Sequence, residues 1–482
     1  MTDTITIVQR DGRLYVRGPL ATPRLAQFLG KSFSYPDKNA FFIRKASHWD
    51  GIHRLFNDRD FSVGLGFKNR LERVLHEFAQ KNGLSIEIKH EGAAFPSTKN
   101  KEKVNATCPI VLRDYQQEAI TRMLTAKVGI LELATGAGKT AIAAELTRQL
   151  NTTTLFIVDR KELMDQATKA FEKVLGIKVG NIGDGISDVK PITIGMLQTL
   201  FSQHKKYESY LNTIEVLFVD ECHISSAPTV RKTVGACKNA KYKIGLSATP
   251  WREDGNDMMI EEGLGEVVYT VNLKRLVSLG YATPPTIVFY ELSGSRAGAD
   301  EYANDYTFSV VQNEERERAL LSVVGKYASR KIIILTKQVE HGARIQSLIP
   351  GSIHIHGSLA SKKRKEDWKN FLASSNGVCV ATISIAGKGL DIPDLGVIIN
   401  ASGNKSDINS LQTLGRVVRA LDGKKDAFYI DFIDTGIFTR RHSKERIKCF
   451  EQEGHDVKII KIEEQKKLTE ASCPTVKNAT GT

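Results

Sequence analysis

Six cysteines are few for a chain of 482 residues, and they are badly placed for cross-linking. Cys108, Cys222, Cys237, Cys379, Cys449 and Cys473 show neither close pairs nor metal-ligand spacing. That argues against both a disulfide framework and a zinc site. No apolar run is long enough to span a bilayer, and no charged-then-apolar leader follows Met1, so a cytoplasmic protein is expected. A lipidation signal and a long basic amphipathic helix are also missing, which removes a membrane surface from the expected partners. No internal repeat and no appended nuclease pattern is visible. Acidic residues are the minority charge, 55 against 68 lysines and arginines, for a net +13. Such an excess suits a polyanion through phosphate contacts and counterion release.

What is present is organised around Leu131-Glu-Leu-Ala-Thr-Gly-Ala-Gly-Lys-Thr140. A short apolar run enters a glycine-rich loop and leaves into Ala141-Ile-Ala-Ala-Glu-Leu146, which reads as strand, phosphate loop, helix. Thr135, Gly136, Ala137 and Gly138 supply backbone N–H groups that close around phosphate oxygens. Lys139 neutralises the terminal phosphates, and the Thr140 hydroxyl holds the bridging magnesium. The early glycine of the commonest phosphate-loop pattern is absent; Leu133 stands there.

The length suits about three domains. Residues 1–90 read as a small α+β domain: Ile5–Val8 and Arg13–Val16 alternate around the turn-forming Asp11-Gly12, helical faces follow Pro23 and Leu71, and Leu84–Lys89 adds a strand. Within it, Phe42, Arg44, Lys45, Trp49 and Arg54 have the aromatic and basic character of a nucleic-acid grip. Residues 91–110 read as a polar linker. Residues 111–280 and 281–450 then show two series of short apolar strands separated by helical stretches, the pattern of parallel sheets covered on both faces. The first series runs through Val128–Leu133, Thr154–Val158, Ile192–Ile194, Val216–Val219 and Lys243–Leu246, with a boundary expected near Tyr281–Pro285. The second runs through Lys331–Leu335, Ser352–Ile355, Val378–Ala381, Val397–Asn400 and Ala427–Ile433. Ligands are expected beyond the strand carboxyl ends. Residues 451–482 read as a polar, lysine-rich tail.

Two further stretches carry chemistry. Val216-Leu-Phe-Val-Asp220-Glu221 ends an apolar strand in adjacent carboxylates. Asp220 is placed to hold magnesium and Glu221 to orient and deprotonate a water. Gln412-Thr-Leu-Gly415-Arg416-Val-Val-Arg419 sets two arginines on one helical face, suited to stabilising charge on a transferring phosphoryl group.

With these stretches in order, the chain resembles a superfamily 2 helicase from about Phe41 to Phe432. Arg113 and Gln116 fall in a stretch similar to the adenine-reading Q motif, with Gln116 on the base edge. Residues 134–140 resemble motif I, 157–166 motif Ia, and 195–200 motif Ib. Asp220-Glu221-Cys222-His223 is the DExH form of motif II, and Leu246-Ser247-Ala248-Thr249-Pro250 resembles motif III. Residues 380–393, with Thr382, Gly389 and Asp391, resemble motif V; Gln412–Arg419 resembles motif VI. Trp49-Asp50-Gly51 with the basic strand after it is similar to the UvsW-like phage helicases. Trp251-Arg252-Glu253-Asp254 is similar to an element of the XPB-related repair helicases.

The resemblance implies a fold of two tandem RecA-like domains behind a small N-terminal α+β domain, with ATP and Mg2+ as cofactors. It implies that Gly389 and Asp391 join the nucleotide site, and that His223, Ser247, Thr249 and Gln412 couple hydrolysis to movement. Arg160, Gln198, Thr199, Arg252 and Thr382 are the implied nucleic-acid contacts beside Arg44, Lys45 and Trp49. The expected activity is ATP-dependent DNA unwinding with 3′ to 5′ polarity on branched or forked duplexes carrying single-stranded regions, including RNA in R-loops. A monomer is expected, in the host cytoplasm if phage-encoded. An RNA remodeller and a nucleotide-gated DNA clamp are the alternatives.

Overall fold

The computed structural model describes residues 2–37, 49–92, 110–223, 227–248, 257–293, 301–386, 392, 394–405, 413–415, 417–418 and 426–462. The chain forms two compact units, Met1–Val271 and Asn272–Thr482.

The first unit begins with β1 (Thr2–Arg10) and β2 (Arg13–Arg17), an antiparallel pair. They turn at Asp11 and Gly12, both at positive φ (50° and 73°), the conformation a tight hairpin requires. A short ribbon of β3 (Ser34–Pro36) and β4 (Ile52–Arg54) follows, then β5 (Ser62–Gly64) and β6 (Ser85–Gly92), giving a sheet ordered β5-β2-β1-β6. Its helices are α1 (Pro23–Ser32), capped by Thr22, and α2 (Lys68–Lys81). Leu25 and Leu29 of α1 and Leu71, Val74, Leu75 and Phe78 of α2 pack with Ile5, Ile7, Leu14 and Val16. The helical and strand periodicities thus bury one common face. Glu91 and Gly92, read from the sequence as the start of a linker, belong to β6.

Beyond it lie α3 (Asp114–Ala126), β7 (Val128–Leu133), α4 (Lys139–Leu150), β8 (Thr154–Val158) and α5 (Lys161–Leu175). They are followed by β9 (Gly180–Gly183), β10 (Ile186–Asp188), β11 (Ile192–Met196), β12 (Val216–Asp220), β13 (Tyr242–Ser247), α6 (Asp257–Leu264) and β14 (Val267–Val271). The sheet order is β10-β9-β11-β8-β12-β13-β7-β14, parallel except for the β9–β10 hairpin. Leu155–Val158 and Val216–Val219 are buried throughout, as strands covered on both faces must be.

Helix α6 ties the small N-terminal sheet to this larger one. Met259 of α6 belongs to the N-terminal core. Arg70 makes a two-pronged contact with Glu261 at 2.7 and 2.6 Å, and Arg73 pairs with Glu266. Glu262, only 4% exposed, lies 3.8 Å from Arg13 and 2.6 Å from Arg231. Gly64 and Gly66 pass so close to Glu261 and Glu262 that any Cβ there would collide.

The second unit contains β15 (Pro285–Glu291), β16 (Lys331–Thr336), β17 (Ile353–Ile355), β18 (Val378–Thr382), β19 (Leu395–Asn400), β20 (Ala427–Ile433) and β21 (Val457–Lys461). Their order is β17-β18-β16-β19-β20-β15-β21, parallel at every step. Helices α7 (Tyr302–Tyr306), α8 (Glu314–Lys326) and α9 (Ile437–Gln452) matter below. The fold class is therefore α/β, two tandem RecA-like parallel-sheet domains with a small N-terminal α+β domain.

Five strands of the two large sheets depart from the sequence expectations. β9, β10 and β14 are further strands of the first sheet. β15 starts at Pro285, where prolines suggested a break; the first residue of a strand tolerates proline even between two neighbours. β21 lies inside the expected polar tail, where it pairs with β15 and leaves Lys458 and Ile459 in solvent, so its composition reads as unstructured. Among the described residues no helix is long and apolar enough to cross a membrane.

Candidate nucleotide and nucleic-acid sites

The loop after β7 is shaped by two glycines at positive φ, Gly136 at 89° and Gly138 at 84°. Gly138 caps α4 with no side-chain hydrogen bond, so the first amides of the helix are left for an incoming anion. Open space surrounds Gly136. The loop is braced from below: the Ala137 carbonyl accepts hydrogen bonds from Tyr115 Oη at 3.0 Å and Gln116 Nε2 at 2.9 Å. Gln116 Oε1 in turn accepts from the Arg113 amide at 3.0 Å. A Cβ on residue 138 would lie 2.5 Å from Gln116 Nε2, a second reason for glycine. Gln116, read from the sequence as contacting a base, thus spends both ends of its amide on backbone here. Tyr115 is the brace that reading missed; its only signal is an aromatic beside Gln116.

Strand order sets the rest of the site. β13 lies between β7 and β12, so groups at the ends of β7 and β12 meet across the end of β13. Lys139 Nζ donates to Glu221 Oε1 at 2.6 Å. Glu221 adopts φ of 44°, an uncommon conformation for a glutamate and one found at functional sites. Its amide donates to Asp220 Oδ1 at 3.1 Å. Burial, then the neighbouring Glu221 charge, push the Asp220 carboxyl up to about 7, against the opposing pull of Lys139. Burial lowers the Lys139 ammonium, but the Glu221 and Asp220 charges outweigh it and leave it raised.

His223 and Ser247 complete the cluster. His223 Nδ1 lies 2.7 Å from Ser247 Oγ, the last residue of β13, and 3.6 Å from Glu221 Oε2. Cys222 is fully buried, and burial pushes its thiol up to about 12, so it packs and does not react.

The remaining expected residues are more scattered. Arg160 caps α5 beside Asp159; Gln198 and Thr199 follow β11, with Gln198 exposed. Since β8 and β11 are neighbours, these three share one stretch of the sheet's carboxyl edge. Trp49 donates to the Ile52 carbonyl at 3.3 Å and stacks with His53, 4.8 Å between ring centres, which stacks in turn on Tyr35. In the second unit Thr382 ends β18, its hydroxyl 3.2 Å from Ser384 Oγ. Arg44, Lys45, Thr249, Arg252, Gly389, Asp391, Gln412, Arg416 and Arg419 lie outside the described residues.

These groups fit a magnesium-bound nucleoside triphosphate. Uncapped amides at Gly138 and open space at Gly136 make an anion cradle, and Lys139 is within reach of a phosphate. Among the described residues no cluster of three or more His, Cys, Asp or Glu side chains suits a metal ion. Magnesium is usually held by one or two carboxylates and completed by phosphates and water; Thr140 and Asp220 would supply the protein's share.

Comparison with known proteins follows the same division. Residues 109–252 match the family described as type III restriction enzyme, res subunit. Residues 315–421 match the helicase conserved C-terminal domain. The chain is 27% identical over 397 residues to a DNA 3′-5′ translocase XPB2 of Sulfurisphaera tokodaii, spanning 73% of this chain and 86% of that one. It is 24% identical over 423 residues to the ATP-dependent DNA helicase uvsW of Enterobacteria phage T4, spanning 80% and 82%. Among solved structures, a fragment of a putative HsdR subunit of a type I restriction enzyme from Vibrio vulnificus YJ016 superposes with TM-score 0.59 at 19% identity. It covers 81% of this chain and 74% of that one, a likeness of fold.

Proposed function

The chain belongs to the superfamily 2 helicases, as an ATP-dependent DNA helicase of the DExH form, and from that premise we propose that it remodels branched DNA. Forks, Holliday junctions and R-loops are its substrates in this reading, with translocation 3′ to 5′. It acts as a monomer in the cytoplasm, that of a host cell if phage-encoded. The observation that carries the reading is the meeting of Lys139, Asp220, Glu221, His223 and Ser247 at the ends of β7, β12 and β13.

The chemistry follows from that meeting. Bound ATP with Mg2+ would supply the phosphoryl group and negative phosphate charge that competes with Glu221 for Lys139. Lys139 then neutralises the terminal phosphates, and the glycine loop holds their oxygens through backbone amides. Glu221, released from its ion pair, regains an acceptor for the attacking water's proton. Because His223 lies 3.6 Å from Glu221 and touches Ser247, a change at Glu221 reaches the residue that leads into Thr249. Arg416 and Arg419 carry the transition-state charge in this reading, and Arg160, Gln198, Thr199, Arg252 and Thr382 contact nucleic-acid backbone. Branched-DNA preference is assigned to the N-terminal domain, whose Trp49–His53–Tyr35 stack is carried beside the phosphate-loop sheet through α6.

The test is ATP turnover and unwinding on Holliday junctions, forks, R-loops and RNA duplexes side by side. Branched DNA is expected to stimulate most, and Trp49→Ala to reduce that preference while sparing basal turnover. Stimulation by RNA duplexes above all branched DNA would replace this reading with an RNA remodeller.

A further inference from the structure

Two helices follow the residues that meet at the nucleotide site. The helix Ala227–Ala236 comes shortly after Asp220 and His223, and α6 comes shortly after β13 and its last residue, Ser247. Both pack into one core: Val230 and Val234 of the first and Ile260 and Leu264 of the second are buried with Val219 and Cys222. The packing at Cys222 is close. A Cβ on Gly245 of β13 would lie 3.3 Å from Cys222 Sγ, 3.2 Å from Leu264 and 3.0 Å from Ile130, so a shift of α6 is felt by the residue between Glu221 and His223.

Glu262 of α6 joins both helices to the N-terminal sheet. Its side chain is 4% exposed and lies between arginines from two other elements. Arg231 of the helix Ala227–Ala236 brings Nε and Nη2 to 2.6 and 3.1 Å from the carboxylate oxygens, and Arg13 of β2 stands 3.8 Å away. The stem of Glu262 rests on Gly64, the residue that pairs with Arg13 across β2 and β5; a Cβ there would lie 2.3 Å from Glu262 Cγ. Burial raises the Glu262 carboxyl, and Arg231 and then Arg13 oppose that rise. The hairpin turn also reaches β13, because a Cβ on Gly12 would lie 3.3 Å from Nζ of the buried Lys243. The far end of that strand is Ser247, 2.7 Å from His223.

A buried ion pair adds little net stability over apolar packing, and this interface already has Met259 in the N-terminal core and the forked contact of Arg70 with Glu261. What the buried carboxylate adds is a fixed spacing of three elements, two of which lead away from the hydrolytic residues. We propose that Glu262 is a positioning residue for ATP hydrolysis: through Arg13 and Arg231 it lets the N-terminal sheet hold Glu221 and His223 in their working arrangement. The N-terminal domain then sets the rate of turnover as well as the choice of substrate. The proposal rests on the hydrolysis site argued above.

The two arginines are 31% and 42% exposed, so either can be replaced with the core intact. The experiment measures steady-state ATP turnover by the full chain with saturating forked DNA, at a temperature well below the melting point of every variant. Arg13→Gln and Arg231→Gln are each expected to lower kcat about fivefold, with KM for ATP near the parent value. The double variant should fall no further than the lower single one, since both act through one carboxylate. Arg70→Gln loosens the same interface at Glu261 instead, and should lower the melting temperature while keeping parent turnover. Parent-like kcat in either single variant overturns the proposal, as do an equal loss in Arg70→Gln, a loss confined to KM, or losses that multiply in the double variant. A parent chain that hydrolyses no ATP overturns the hydrolysis site itself, and this proposal with it.

Discussion

Each unit of the molecule holds a buried cation against carboxylates, and the two arrangements differ in what else can reach them. In the first, Lys139 meets Glu221 at 2.6 Å beside an open glycine loop, with side chains 14% and 18% exposed. In the second, Arg446 of α9 is bound to both oxygens of Asp431 at 2.9 and 2.8 Å, with both residues fully buried. Asn400 and Tyr429 donate to the same carboxylate, and Arg316 of α8 reaches Asp434 at 2.8 Å. Every lone pair around Asp431 is met from within the chain. An ion pair that a ligand can invade serves as a switch, whereas one closed on all sides fixes α8 and α9 to the sheet.

Breaking each pair should therefore produce different losses. The largest effect is expected for Lys139→Ala, with ATP turnover falling at least about 10²–10³-fold while DNA binding, followed by salt titration, stays near the parent value. Undiminished turnover would refute the site. Next is Arg446→Met, which strands Asp431 as an unpaired buried charge. It should destabilise the second unit by about 3–5 kcal/mol, read as the denaturant midpoint, and pairing it with Asp431→Leu should recover much of the loss.

The α6 contacts give a smaller, reversible effect. Arg70→Glu should cost about 1–3 kcal/mol, and Glu261→Arg in the same chain should restore part of it, because the forked contact is only partly buried and re-forms in reverse.

A further effect depends on pH. Asp220 has its carboxyl raised from 3.8 to about 7 by burial and by Glu221, so the folded protein holds this proton more tightly than the unfolded chain. The stability that this brings is present below about pH 4 and lost as pH rises through about 7. Asp220→Asn, which never ionises, should gain thermal stability over the ligand-free parent progressively across that interval and hold a constant margin above it. A margin independent of pH would show that Asp220 titrates normally.

The same contrast governs what the sequence reveals. Local chemistry is legible: the glycine loop and the apolar strand closing in Asp220 and Glu221 both follow from residue type and spacing. What depends on strand order is not. That Lys139 and Glu221 touch, 82 positions apart, follows only once β13 is known to lie between their strands. Arg70 and Glu261 are 191 positions apart, and surface-type residues carry no mark of their partners, so the joining of the N-terminal sheet to α6 has no sequence signal. Gln116 shows a subtler limit: its motif marks the residue, but its hydrogen bonds to the Arg113 amide and the Ala137 carbonyl are settled by packing. β21 stays hidden because an edge strand buries little, and Lys458 and Lys461 make it read as tail.

In the proposed function Glu221, released from Lys139, drives the hydrolysis that remodels DNA. Glu221→Gln tests it most directly, by measuring ATP affinity, ATP turnover and fork unwinding on one preparation. ATP should still bind, with turnover and unwinding falling together by about 10²–10⁴-fold. A Glu221→Gln protein that unwinds forks at the parent rate would contradict the account.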